Sequence, residues 1–179
     1  MREIVATQMR ESSQVFNEIV WPAMLDKIGG GEIICVEDWS NDQGVKELDY
    51  LAGIDAWQIM PNKKGMRGIA QRAQKNANYK SFTLRYKTGF GSFDTEYHKR
   101  LHAINSDRGM LYPHVTMQAY YDSTGLLSCG AIRTRDLLSY VENNLGNTCM
   151  IRTNKDDGAQ FVTVFWKDLT SDGVEVIRA

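Results

Sequence analysis

The apolar pattern opens with a helix. Val15, Phe16, Ile19, Val20, Ala23 and Met24 form one broad stripe at helical spacing. Ser12 or Ser13 is placed to cap it. Pro22 falls inside the stripe and lacks a backbone donor, which predicts a kink or a restart near Trp21. Gly29, Gly30 and Gly31 then end the helix. Residues 32–37 hold the apolar run Ile33-Ile34-Cys35-Val36, a strand, and the polar residues 38–47 read as a loop. A second strand is expected in 51–60. Pro61-Asn62-Lys63-Lys64-Gly65 is turn chemistry, so a third strand at 66–74 should fold back as a hairpin. Residues 81–87 alternate apolar and polar, as a half-buried strand does.

The second half repeats this mixture. Thr95 is the expected cap of a helix that turns Tyr97, Leu101 and Ile104 inward. Strands are expected at 114–121 and 126–133 around an Asp-Ser-Thr-Gly turn. Thr134 is the expected cap of a further helix carrying Leu137, Leu138 and Val141, ended by Gly146. Strands at 161–166 and 174–177 complete the chain. The order predicts an α+β fold with a central mixed β-sheet flanked by helices. No repeat or Pro/Gly/Ser-rich linker divides the chain, so residues 1–179 are expected to form a single domain.

Composition narrows the class. The chain is 42% hydrophobic and 24% charged, which supports a packed core and excludes a disordered tail, a collagen or a coiled coil. No apolar run approaches the roughly 18 residues of a membrane span, and residues 1–12 lack the apolar block of a secretory signal. Cys35, Cys129 and Cys149 form no CxxC pair and suit reduced thiols in a cytoplasmic protein. The formal net charge of −1 conceals a segregation. From Lys63 to Arg100 there are ten basic and two acidic residues, a net of +8. From Glu11 to Gln58 there are ten acidic and two basic residues, a net of −8. The two segments can pair across one surface, or form a basic face for a polyanion beside an acidic pocket for a metal.

Familiar catalytic motifs are missing from the sequence. There is no GxxxxGK[ST], no GxSxG, and no GxGxxG opening a helix. Gly89-Phe90-Gly91 follows a strand but continues wrongly. His98 and His102 have zinc-ligand spacing, yet Lys99 replaces the Glu of HExxH, and the pair fits a solvated basic face better. More informative is Asp49-Tyr50-Leu51-Ala52-Gly53-Ile54-Asp55, then a turn, then Ala70-Gln71-Arg72-Ala73-Gln74. Polar residues inside an apolar strand are costly unless paired or used. An Asp on one strand, a cation on its hairpin partner and a helical Glu suit metal-assisted phosphodiester cleavage.

On these residues the chain resembles the restriction-endonuclease-like superfamily, the PD-(D/E)xK nucleases, over residues 17–85. The resemblance implies a nucleic-acid-binding protein and, if active, a hydrolase that cleaves DNA or RNA with Mg²⁺ or Mn²⁺. Asp55 would be the principal metal ligand, with Gln71 and Glu18 secondary and Arg72 as phosphate or water clamp. The family's acid and lysine, two apart on the second strand, fall on Ala70 and Arg72 or on Gln71 and Ala73. The alternative is a non-catalytic nucleic-acid-binding or protein-interaction module on the same fold. Candidate nucleic-acid contacts are Arg67, Arg72, Lys75, Arg85 and Lys87, with Lys99 and Arg100 on the helix that follows. A homodimer is expected by analogy with small nucleases that face two strands, and a phage or mobile-element setting suits the size.

Overall fold

A computed structural model describes residues 13–36 and 52–179, Lys63 by its backbone alone. The Ser12 cap, the 38–47 loop and positions 48–51 lie outside these residues.

Helix α1 runs from the π-helical segment Phe16–Val20 into the α-helical turn Trp21–Met24. The Trp21 N–H reaches the Phe16 carbonyl, five residues back. This wider turn lets the Pro22 ring fit at the start of the following α-turn, where its missing donor costs nothing. The expected restart therefore falls at Trp21.

Strands β1 (Glu32–Cys35), β2 (Ala56–Ile59) and β3 (Met66–Lys75) follow as an antiparallel meander. Pro61–Lys63 makes a short 3-10 turn between the last two, with Asn62 left-handed at φ 62°. Next come β4 (Ser81–Lys87), α2 (Glu96–Asn105), β5 (Val115–Asp122), β6 (Gly125–Arg133) and α3 (Thr134–Asn144). The chain closes through β7 (Met150–Thr153), β8 (Gln160–Phe165), α4 (Trp166–Ser171) and β9 (Ile177–Arg178).

The main sheet is mixed and six-stranded, in the order β1-β2-β3-β5-β6-β9, and of these pairs only β3/β5 is parallel. An α+β architecture with helices flanking a mixed sheet is thus present. One expectation is corrected: β4 does not join this sheet. It pairs with β8 in a second sheet ordered β4-β8-β7.

Two cores result. On one face of the main sheet, Phe16, Val20 and Met24 of α1 pack on Ile69, Met117 and Ala119, all fully buried. The other core joins Phe82, Leu84, Val162 and Val164 of the second sheet to Leu137 and Val141 of α3. Each of these Val, Leu, Ile, Phe and Met side chains stabilises the fold by about 1.5–3 kcal/mol relative to exposure. Tyr120 ties the two sheets together: its hydroxyl lies 3.0 Å from Ser81 Oγ and donates to the Ser81 carbonyl at 2.8 Å.

Three local expectations also change. Thr95 stands at the N-cap of α2, but its hydroxyl donates to the Tyr86 carbonyl. Thr134 is the first residue of α3, and its hydroxyl meets that of Thr116 at 2.9 Å. Trp166 does not extend β8. It opens α4 and lies against Gly130, where an added Cβ would come within 2.6 Å of the indole.

Candidate functional site

Six of the candidate residues singled out in the sequence meet at one place. A cleft of ≈ 360 Å³ opens where the segment leading into β2, the middle of β3, the strand β4, the start of β5 and the first turn of α2 approach one another. Asp55, Gln71, Arg72, Arg85, Lys99 and Arg100 all line it. Sequence reasoning did not give Glu96 or Gln118 a part here; both line the cleft. Glu96 had only the signal of an acid in a first helical turn.

Asp55 sits just before β2. Its backbone N–H donates to the Ile69 carbonyl, and its Oδ2 accepts the Gln71 N–H at 2.7 Å. Asp55 thus brackets Ala70, and Gln71 meets it through backbone rather than side chain. The Gln71 Oε1 is buried without a hydrogen-bond partner.

Glu96 is the hub of the cleft. Its Oε1 lies 2.7 Å from Arg100 Nη1. Its Oε2 accepts from Arg72 Nη2 at 3.0 Å and from the Arg85 N–H at 3.1 Å. Burial alone would raise its pKa, but the Arg100 and Arg72 guanidiniums and the Arg85 N–H outweigh it and hold the carboxyl below its usual range. Arg72 is fixed further by the Thr83 carbonyl and hydroxyl, at 3.2 and 3.1 Å. Thr83 in turn donates to Gln118 Oε1 at 3.1 Å.

The cations differ in access. Arg100 is 4% exposed and reaches the Gly53 carbonyl at 3.4 Å. Arg85 is exposed and lies over the Phe161 ring, as Arg72 does from the other strand, at 5.4 and 5.8 Å from the ring centre. Lys99 pairs with Asp94 at 3.6 Å.

Other candidates lie elsewhere. Glu18 is exposed on α1, accepts from Gln14 at 2.9 Å and does not line the cleft. Arg67 is turned inward: it donates to Gln58 Oε1 at 2.8 Å and to the Ile28 carbonyl. Arg67 thus spends its guanidinium on groups within the protein. Lys75 ends β3 in solvent, and Lys87 covers the Phe93 ring at 5.1 Å. His98 packs among Tyr86, Phe93 and Tyr97, with Nδ1 3.2 Å from the Thr95 hydroxyl.

Among the described residues, this donor set suits a divalent cation poorly. Mg²⁺ and Mn²⁺ want several oxygen ligands. Both Glu96 oxygens are engaged by cations or N–H groups, Ala70 offers a methyl, and four cationic side chains line the cleft. Among the described residues no three His, Cys, Asp or Glu side chains gather to hold a metal. The arrangement is suited instead to holding an anion, because guanidinium and ammonium groups donate charge-assisted hydrogen bonds to phosphate oxygens.

No family model matches the chain, and no curated protein or solved structure is significantly similar to it. No helix among the described residues is long and apolar enough to cross a membrane.

Proposed function

We propose that this chain binds nucleic acid, holding phosphates of the backbone in and around the cleft, as a binding module rather than a metal-dependent phosphodiesterase. The observation that carries the reading is convergence. Arg72 from β3, Arg85 from β4 and Lys99 from α2 arrive at one cleft from three elements, although they lie far apart in sequence. Phosphate contacts of this kind supply most of non-specific nucleic-acid affinity. The restriction-endonuclease-like fold belongs to the same proposal. The order helix, three strands of the main sheet, then β4, a helix and β5, with β3 parallel to β5, supports it. So does the place of Asp55 at the head of β2, beside Ala70 and Arg72. The methyl at Ala70, where that pattern calls for an acid, supports binding without cleavage.

The test compares wild type with Asp55→Ala on single-stranded and duplex DNA, with Mg²⁺, Mn²⁺ or EDTA. Both proteins should bind in all conditions. Asp55→Ala should bind at least as tightly, because a negative charge leaves the phosphate site. Cleavage by wild type that EDTA and Asp55→Ala both abolish would overturn the reading in favour of a nuclease.

A further inference from the structure

Phe90 is not packed into the fold. It is fully exposed, at 103%, and stands between Gly89 and Gly91 in the loop that joins β4 to α2. The loop beneath it is built. The Thr88 N–H donates to the Ser92 carbonyl at 2.9 Å, and the Gly91 N–H to the Thr88 carbonyl at 3.0 Å. The Ser92 N–H donates to the Thr88 hydroxyl at 3.0 Å, and the Asp94 N–H to the Ser92 hydroxyl at 3.1 Å. Gly89 is clamped against the 157–159 turn so closely that a Cβ there would lie 1.9 Å from the Asp157 carbonyl oxygen. Gly91 is left-handed at φ 89°. The backbone therefore demands its glycines, while nothing among the described residues buries the ring between them. A large apolar ring held in water by a hydrogen-bonded loop contributes no burial to stability.

The position of the loop supplies the reason. Thr88 at its start and Asp94 at its end both line the cleft, where Arg85 and Lys99 also lie. Lys87 and Lys99 flank it in the chain, each partly exposed. A polyanion that enters the cleft brings its bases to this rim. An aromatic ring beside a cationic groove offers a stacking surface to any base that is not already paired, whatever its sequence.

We propose that Phe90 stacks on an unpaired nucleobase next to the phosphate held in the cleft, so that the preferred ligand is single-stranded nucleic acid. This rests on the nucleic-acid reading above and adds strandedness to it. The cleft supplies charge and Phe90 supplies preference for an unpaired strand.

The experiment uses the full chain and a fluorescein-labelled mixed-sequence DNA strand, alone and annealed to its complement. Wild type, Phe90→Ala and Phe90→Trp are titrated by anisotropy. Phe90→Ala should lose about 10-fold in affinity for the single strand, the size of one base–aromatic stack. It should keep its affinity for duplex and its thermal midpoint. Phe90→Trp should restore single-strand binding, and its indole fluorescence should be quenched by unlabelled strand. Equal binding of the single strand by wild type and Phe90→Ala would overturn the inference and leave the nucleic-acid reading standing. No binding by wild type of either form would overturn both. A wild-type dimer in sedimentation that Phe90→Ala abolishes would overturn the inference in favour of self-association through this ring.

Discussion

Glu96 sets the state of the whole cleft, because it is the carboxylate on which Arg72 and Arg100 both close. Its folded pKa lies below the unfolded one, so its stabilisation is present at neutral pH. That contribution fades as pH falls below the ordinary range of a glutamate carboxyl, towards the lower folded value. Glu96→Gln should cost about 3 kcal/mol at neutral pH, since it leaves the buried Arg100 charge without its partner. It should also flatten the acid limb of stability; denaturant melts across pH would show both. Arg67 gives the opposite contrast. It belongs to the basic segment but spends its guanidinium on Gln58 and the Ile28 carbonyl. Arg67→Met should lower stability by about 1–3 kcal/mol. Its affinity for DNA should stay within twofold of wild type, which anisotropy would check.

The elements that were legible in the sequence are those with a clear period or a strong breaker. The α1 stripe with Pro22, the 61–65 turn and the alternation of β4 each state a local rule that the fold obeys. What was illegible depends on distant partners. The alternation of β4 says that one face is buried but not which sheet receives it. That choice is made by pairing with the distant β8, where Phe165 lies opposite Ser81, while Tyr120 of the main sheet holds the Ser81 side chain and backbone through its hydroxyl. Tyr120→Phe should therefore cost about 1–3 kcal/mol in equilibrium unfolding, because buried Ser81 groups lose their partner. Strand β7 gave no signal because all four of its residues are exposed, so it carries no buried period. The apolar run at 161–166 ended one residue early, since Trp166 is recruited to α4 by the bare surface at Gly130. The cleft was legible through Asp55, Gln71 and Arg72, which the hairpin brings together. Glu96 and Gln118 were not, because only the packing of α2 and β5 on that hairpin makes them neighbours of Arg72.

At the scale of the whole molecule, a chain of net charge −1 gathers Arg72, Arg85, Lys99 and Arg100 at one cleft, beside Asp55, Asp94 and Glu96. The fold achieves this by layering: the +8 segment supplies β3, β4 and α2, which enclose the cleft between them. Not all of that charge is available, for Arg67 and Arg100 are consumed inside the protein. Among the described residues, Arg72, Arg85 and Lys99 are the cleft cations that we propose to meet phosphate. The measurement that tests this account most directly is the salt dependence of single-stranded DNA binding. For wild type, log Kobs should fall with log salt at a slope of about −2, as three phosphate contacts on a single strand require. Arg85→Gln with Lys99→Gln should bring the slope to about −0.7, with weaker binding at every low salt concentration. An unchanged slope in the double variant, or no binding by wild type at low salt, would contradict the claim that this cleft holds nucleic-acid phosphate.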